Sequence, residues 1–479
     1  MNLGRLTLDS IHSIHIIGIG GIGMSGLAKL LHQSNYAVQG SDVRENQQTG
    51  NLRKLGIKIF IGHNNSNIDG SQLIVKSSAI QNDNPEILTA KKKSIPVISR
   101  AELLSNMLLN KYNICITGAH GKTSTTSLIY SVLQHIKKEP TVICGGIINS
   151  INSNAYKGKS NINIVEADES DGTFLVLPTN IGIITNIDIE HLDYYRGIEN
   201  IIKAYKLFVE KVLLNDLLIV CDDCEYLNEI NETYSAHPKY ITYGLNSKGA
   251  DIKAANITQL DNGLSFDVLI SEKFQQIIKK DLNAIQNVRF NNFGKHNVLN
   301  ALASIAVAIF KGGKEKEIKT ALTKAQGVQR RFSIIGEVNG VVFVDDYAHH
   351  PREIQATLEI AKVHVSKGNG KVFAVFQPHR YSRFKELYDQ FLESFEIANY
   401  LLVLDIYSAG EKETLGVSSK KFVEKIAKNI KAFYCKDNIQ IREIIKLHCK
   451  SGDYVIFMGA GDISEIAHTL YIMCHKINK

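Results

Sequence analysis

Apolar and polar positions along this chain fall into a recurring order. A short apolar run closes in a glycine-rich or acidic turn, and a stretch with apolar residues three and four apart follows it. Runs of that length read as buried strands and the stretches as helices packed on them, which is the alternation of a parallel α/β sheet. The first strand is Ser13 to Ile17, and the helical period after GIGGIGMSG continues to about His32. LIVKSSAI (Leu73 to Ile80) and IPVIS (Ile95 to Ser99) supply further strands, and the helix RAELLSNML leads out near residue 108.

A second unit opens with NICITGAHGKTSTTSL, Asn113 to Leu128. It reads as a strand alternating into Ile114 and Ile116, a tight loop over Gly118 to Gly121, and a helix from Thr123. PTVICGG, NINIVEADESD and TNIGIITNIDIEHLDYY continue the strands. From about Asp251 to Arg289 the runs shorten and alternate, as in GLSFDVLI, which predicts a small antiparallel meander attached to the main sheet. GKHNVLNALASIAVAIF then begins a strongly apolar helix. Close to Gly327 a third unit begins, with strands in VVFVDDYAHHP, KVFAVFQPHRYSR, NYLLVLDIYSAGE and DYVIFMGAGD, each followed by a helical pattern. The fold class is therefore α/β in three domains: an N-terminal Rossmann-like sheet (1–108), a central P-loop ATPase-type domain with an antiparallel extension (109–327), and a C-terminal Rossmann-like sheet (328–479).

A length of 479 residues agrees with several cores, because single domains hold about 100 to 200 residues. Hydrophobic residues at 44% and charged residues at 22% give an ordinary globular balance and exclude a disordered chain. The net charge of +7 favours anionic ligands, but Lys and Arg are interspersed with Asp and Glu, so no nucleic-acid stripe is expected. The seven cysteines sit mostly in apolar runs and read as reduced core residues. Cys221 and Cys224 form a lone C-x-x-C with no second pair to complete a zinc site. No run approaches the roughly 18 apolar residues of a membrane span, and the N-terminus has no secretory core. The expectation is a cytoplasmic protein without membrane insertion, monomer or homodimer.

The candidate chemistry gathers at strand ends. Gly118, Ala119, His120 and Gly121 form a turn at a helix start, where backbone N–H groups and the positive helix end stabilise an anion. Lys122, read as an exposed loop lysine, adds a charge for the outer phosphates, and the Thr123 hydroxyl is placed for Mg2+. The usual phosphate loop has four residues before its Gly-Lys pair; this one has two. Gly18, Gly20 and Gly23 satisfy G-x-G-x-x-G, with Asp42 at the distance of a ribose-binding acid. That fingerprint binds a diphosphate, which belongs equally to a dinucleotide or to a sugar nucleotide. Glu166, Asp168, Glu169 and Asp171 crowd one strand end, too acidic for an interior unless cations meet them. His191 follows another strand; imidazole is a poor ligand for Mg2+, and as a bare residue it reads as a surface histidine before it reads as a ligand. Asn297 and Asn300 share a helix face and either cap the helix or face a ligand. In the third domain Asp346, His349, Arg380, Arg383 and Glu411 line strand ends.

GIGGIGMSG, TGAHGKTSTT, VEADESD, TNIDIEHLDYY, GKHNVLNALA, RRF, VDDYAHHP and FQPHRYSR occur in an order that resembles the Mur ligase family, the ATP-dependent amino-acid ligases of peptidoglycan synthesis. The resemblance covers nearly the whole chain, and G-x-x-G-K-T is that family's loop. It implies ATP in the middle domain, a uridine diphosphate sugar in the first, and the amino acid in the last. The implied reaction joins L-alanine to the carboxylate of UDP-N-acetylmuramate through an acyl phosphate. Carried over by position, Gly118 to Ser124, Asn297 and Arg331 meet ATP; Thr123, Glu166 and His191 hold metal; and Lys122, Glu166, His191, Asn300, Arg331 and Asp346 form the catalytic set. Gly18, Gly20, Gly21, Gly23, Ser41, Asp42, Ser78, His349, Arg380 and Arg383 are implied at the sugar nucleotide and the acceptor. Two other readings stand beside it: a recycling ligase that joins a murein tripeptide to the same sugar nucleotide, and an NAD-dependent dehydrogenase using Gly18 to Gly23.

Overall fold

The structure, a computed structural model, describes residues 8–247, 249–366, 368–414 and 416–476. Three sheets organise it. The first holds β1 (Ser13–Ile17), β2 (Ala37–Asp42), β3 (Lys58–Ile61), β4 (Leu73–Lys76) and β5 (Val97–Ser99) in the order β3-β2-β1-β4-β5. All its pairings are parallel. Ile14, Ile16 and Ile17 are fully buried because β1 is central and covered on both faces. The following helix, Ile22–Gln33, buries Met24, Leu27, Leu30 and Leu31 at helical spacing. At Gly40 a Cβ would lie 2.5 Å from the Ile16 carbonyl oxygen, so only glycine lets β2 pass beside the loop after β1.

The second sheet has ten strands: β6 (Tyr112–Thr117), β7 (Thr141–Ile148), β8 (Ser153–Tyr156), β9 (Ile162–Glu166), β10 (Ile181–Ile184), β11 (Leu217–Cys221), β12 (Tyr240–Gly244), β13 (Ile252–Leu260), β14 (Gly263–Ile270) and β15 (Ala284–Phe290). Their order is β15-β14-β13-β12-β11-β10-β6-β9-β7-β8. The expected meander is β13 to β15, antiparallel within itself and joined to β12 through a short parallel pairing at Tyr243 and Gly244. The phosphate loop leaves β6, with parallel neighbours β9 and β10 on either side. Strand ends from both sides therefore surround it.

The chain separates into two compact units, 1–328 and 329–479. The first two sheets share one unit and one continuous apolar core. The third sheet, in the second unit, holds β16 (Ser333–Val338), β17 (Val341–Asp346), β18 (Val372–Phe376), β19 (Tyr400–Val403), β20 (Lys431–Tyr434) and β21 (Tyr454–Met458), ordered β16-β17-β21-β18-β19-β20. It is parallel apart from β16, an antiparallel edge strand with a bulge between Ile334 and Gly336. The pattern of apolar positions pointed to neither β16 nor β20. Four residues are too few to show a period, and Gly336 interrupts the other run. Among the described residues no helix is long and apolar enough to cross a membrane.

Candidate active site

The loop Gly118–Gly121 opens where β6 ends, and the helix Lys122–His135 follows it. Gly118 (φ 135°) and Gly121 (φ 80°) both take the left-handed side of backbone space. A Cβ on Gly118 would fall 2.0 Å from Thr185 Oγ1, and one on Gly121 would fall 2.8 Å from Asn300 Oδ1. Gly121 caps the helix without any side-chain acceptor, and no acidic residue lies in the first turn. The first-turn amides of a helix have no intrahelical acceptor, so an anion is the natural cap here. Two loop amides are already taken. Ala119 N–H donates to the Asn186 carbonyl at 3.2 Å and His120 N–H to Asn186 Oδ1 at 2.8 Å. Those contacts fix the loop and leave anion binding to the helix start.

Lys122 is not the exposed lysine expected from sequence. Its side chain is 14% exposed, and Nζ donates to the Gly118 and Ala119 carbonyls and to Glu169 Oε1 at 2.8 Å. Burial alone would lower its pKa, but the charges of Glu169, Asp168 and Glu166 outweigh that and raise it, so the ammonium is held charged. Opposite, Thr123 Oγ1 donates to Glu166 Oε1 at 3.0 Å, and Glu166 Oε2 accepts from Gly145 N–H at 2.6 Å.

The four acids of the β9 end divide their work. Asp168 and Asp171 accept from the Ser170 and Thr173 amides and fold their own turn. Glu166 and Glu169 turn to the phosphate loop. Glu169, Glu190 and His191 bring ligand atoms within 4.8 Å of one another. His191 Nε2 stands 3.4 Å from Glu169 Oε1 and 3.6 Å from Glu190 Oε2. Burial would lower the His191 pKa, but these carboxylates raise it above its ordinary value. Oxygen donors with one imidazole, gathered beside a hydroxyl–carboxylate pair, suit a hard divalent cation such as Mg2+. Glu169, which the sequence placed only in an acidic cluster in need of cations, and Glu190, which it did not point to, join the residues implied by the family resemblance. Their signal was adjacency: one lies three residues past Glu166, the other directly precedes His191.

Asn297 and Asn300 do share a face, but both are buried. Asn300 Oδ1 accepts from Thr125 Oγ1 at 3.0 Å, and its amide donates to Asn297 Oδ1 at 3.2 Å. Asn297 in turn donates to the Phe293 carbonyl at 2.7 Å. The pair buttresses the phosphate loop from behind through Gly121 and Thr125.

At the first sheet, Gly18, Gly20 and Gly21 form the turn into the helix Ile22–Gln33, and Gly23 is the second residue of that helix. Gly20 is required by packing, since a Cβ would lie 2.7 Å from Asn46 Nδ2 and 2.8 Å from Asp42 Oδ2; at Gly23 a Cβ would lie 2.9 Å from Arg100 Nε, at the end of a long side chain that can give way. Gly21 is exposed and open. Asp42 accepts from Gly20 N–H at 2.9 Å and so holds the turn. Ser41, implied at the sugar nucleotide, is fully buried; its hydroxyl donates to Glu86 Oε2 at 2.6 Å and its carbonyl accepts from Gly18 and Ile19. It supports the turn from below. Ser78 is exposed beyond β4.

In the second unit Asp346 ends β17, buried, with Phe332 and Ala348 amides donating to it at 2.7 and 2.8 Å. Burial raises its carboxyl, against Arg331 and those amides, to about 6. Arg331 Nη1 lies 3.4 Å from Glu353 Oε1. His349, His379 and Arg383 form one cluster, with imidazole centroids 6.0 Å apart and Arg383 Nη1 3.3 Å from His379 Nδ1. Burial, then the charges of His349, Arg383 and Arg380, push His379 down to about 3, so it stays neutral and accepts from Arg383. His379 lay inside FQPHRYSR and was not singled out there. Arg380 is exposed, its backbone N–H tied to the Tyr407 carbonyl at 2.8 Å. Glu411 accepts from the Ser382 amide and hydroxyl and so fixes the helix start that carries Arg383.

Comparison with known proteins matches the chain to three family models: Mur ligase family, catalytic domain (residues 13–112), Mur ligase middle domain (116–308), and Mur ligase, glutamate ligase domain (330–461). UDP-N-acetylmuramate--L-alanine ligase of Rickettsia felis is 44% identical over 447 residues, 93% of this chain and 92% of that protein. The ligase of the same description from Rickettsia bellii is 42% identical over 448 residues, 93% of this chain and 92% of its own. Among solved structures, UDP-N-acetylmuramate-alanine ligase MurC of Thermotoga maritima superposes with a TM-score of 0.81 at 29% identity, covering 98% of this chain and 100% of that one. A murein peptide ligase from Psychrobacter arcticus shares the fold, with a TM-score of 0.71 at 21% identity over 97% of this chain and 99% of its own.

Proposed function

The chain belongs to the Mur ligase family, and from that premise we propose that it joins L-alanine to the lactyl carboxylate of UDP-N-acetylmuramate, converting ATP to ADP and phosphate, in peptidoglycan precursor synthesis. The observation that carries the reading is the charged phosphate loop: a largely buried Lys122 ammonium bonded to Glu169, beside an uncapped helix start whose Thr123 hydroxyl bonds to Glu166. Relatives that are 42–44% identical over 93% of the chain favour L-alanine as acceptor. The tripeptide reading has only a shared fold in its favour. The dinucleotide reading of Gly18 to Gly23 gains no support, and it leaves Lys122 and its carboxylates without a task.

The three domains would be 1–108 for the sugar nucleotide, 109–327 for ATP and 328–479 for the acceptor, working in the cytoplasm where these water-soluble substrates are made. A carboxylate attacking the γ-phosphorus of ATP is repelled unless cations meet it. Lys122 carries fixed charge for the outer phosphates, and the amides of the first turn after Gly121 add their partial charges without reorganising. Thr123 and Glu166 would hold one Mg2+, and Glu169, Glu190 and His191 a second. Bound there, magnesium would neutralise the charge that builds between carboxylate and phosphate. ADP leaves as the carboxylate bonds to the γ-phosphorus and the acyl phosphate forms; the alanine amine then attacks the acyl carbonyl, gives up a proton, and phosphate leaves. In the second unit, Arg383, bonded to the neutral His379 with His349 close by, is suited to a carboxylate, because a planar guanidinium grips one through two parallel hydrogen bonds.

The test measures ADP and phosphate release from ATP with UDP-N-acetylmuramate, with and without L-alanine. Sustained release that requires both substrates is expected. Oxygen-18 placed in the lactyl carboxylate should appear in released phosphate; its appearance in AMP, or a faster turnover with tripeptide than with L-alanine, would overturn the reading.

A further inference from the structure

The helix Ile22–Gln33, whose N-terminus follows the glycine turn, docks on the hairpin β7–β8 of the central sheet. Asn154, 4% exposed on β8, donates its side-chain amide to the carbonyl of Ile22, the first residue of that helix. One turn on, Gly26 lets the hairpin approach the helix backbone: a Cβ there would lie 2.8 Å from Asn154 Nδ2 and 3.3 Å from Ala155 Cβ. Lys29 Nζ donates to Ser153 Oγ at 2.7 Å, and Lys157 Nζ donates to the Gln33 carbonyl at 3.0 Å, so the ties run from the first turn to the last. The same hairpin meets the phosphate loop on its other side. Gly145 N–H on β7 donates to Glu166 Oε2 at 2.6 Å, and a Cβ on Gly146 would lie 2.9 Å from Thr123 Cγ2. One two-stranded element thus touches both the helix that starts at Gly21 and the carboxylate–hydroxyl pair at the phosphate loop.

We propose that Asn154, with Gly26 opposite it, is a positioning residue that sets the span between the two anion sites, so that the carboxylate of a substrate anchored at Gly18–Gly23 arrives in line with the γ-phosphate at Lys122. This rests on the function proposed above. The physical reason is reach. A substrate held by its diphosphate at one site and reacting at another gains rate only if the gap is fixed, and about 1 Å of misplacement costs on the order of a hundredfold. Asn154 does not touch the reacting atoms; it acts through the helix. Removing it frees the helix start, whereas a methyl group at Gly26 pushes the helix away from the hairpin. Both changes alter the span and leave each anion site's own groups intact.

The test uses Asn154→Ala and Gly26→Ala in the full chain. Dissociation constants for UDP-N-acetylmuramate and ATP are measured by calorimetry, and the single-turnover rate of acyl-phosphate formation by hydroxylamine trapping. The expected result is a fall in the trapping rate of about tenfold with both dissociation constants within about twofold of the parent. An unchanged rate in either folded variant, or a rate loss matched by an equal loss of sugar-nucleotide affinity, overturns the proposal. If Asn154→Ala does not fold, Gly26→Ala decides alone, because the atoms nearest its Cβ are side-chain atoms of Asn154 and Ala155 on the hairpin. Failure of the parent protein to bind UDP-N-acetylmuramate or to form a trappable intermediate would count against the proposed function and not against the positioning role.

Discussion

Glu86 offers a prediction that can be followed from atoms to a pH curve. It sits in the first turn of the helix Pro85–Lys92, with no exposed surface, and receives hydrogen bonds from His15 Nε2 at 3.0 Å, Ser41 Oγ at 2.6 Å, Asn67 Nδ2 at 2.6 Å and Asn64 N–H at 3.3 Å. Burial by itself would raise the carboxyl, but the bonds from His15, Ser41 and Asn67 outweigh it and bring it from 4.5 down to about 2. A depressed carboxyl stabilises the fold above its unfolded value and loses that contribution as pH falls toward the folded value, here between 4.5 and about 2. At about 1.36 kcal/mol per pH unit, the full contribution at pH 7 is roughly 3.4 kcal/mol, falling to roughly 2 kcal/mol at about pH 3.5. Glu86→Gln removes the titrating charge and adds a pH-independent penalty, because its amide N–H2 faces donors. The gap between parent and variant should therefore shrink by about 1.4 kcal/mol from pH 7 to about pH 3.5. Native-state hydrogen exchange of the β1 and β2 amides in a urea series reads this locally, which avoids treating a multidomain chain as two-state. A gap that stays constant between the two pH values would refute the reasoning, and would mean that Glu86 acts through shape alone.

Lys122→Ala should lower turnover by about three or more powers of ten; because it also strands Glu169, the stability of the fold should fall by roughly 3 kcal/mol or more, and a melting curve tests that second half. Glu166→Gln leaves the carboxylate's shape but weakens its hold on a divalent cation, so the Mg2+ concentration for half-maximal ADP release should rise about tenfold or more. Gly21→Val should weaken UDP-N-acetylmuramate binding without affecting ATP binding or melting, whereas Gly20→Ala, which drives a Cβ against Asp42, Asn46 and Thr49, should lower melting as well. Asp346, raised to about 6 by burial, loses its charge beside Arg331 below that pH; kcat/KM should rise with pH through about 6, and Asp346→Asn should flatten that limb of the profile.

What the chain order determined by itself was the set of local devices. The apolar run into Gly118–Gly121 dictates strand, loop and helix because only glycine adopts φ near 80° or 135° without strain and only a helix start leaves amides free. The same holds for Ser13 to Gln33, found as β1, turn and helix where the pattern put them, and for the β13–β15 meander. Glycine number said less than glycine geometry: Gly20 and Gly23 satisfy neighbours, and Gly21 alone stands open. Tertiary structure decided everything that depends on who meets whom. Lys122 looked exposed because its partner Glu169 is 47 residues away in sequence; the expected Ser41 contact became a buried support because Glu86 lies 45 residues on. Asn297 and Asn300 were read from their spacing as one face, but only packing showed that the face points at the back of the phosphate loop. Periodicity records which side of an element is buried. It holds no record of the distant residue that fills the other half of a hydrogen bond, and the partners of Lys122, Ser41 and Asn300 are set by that pairing.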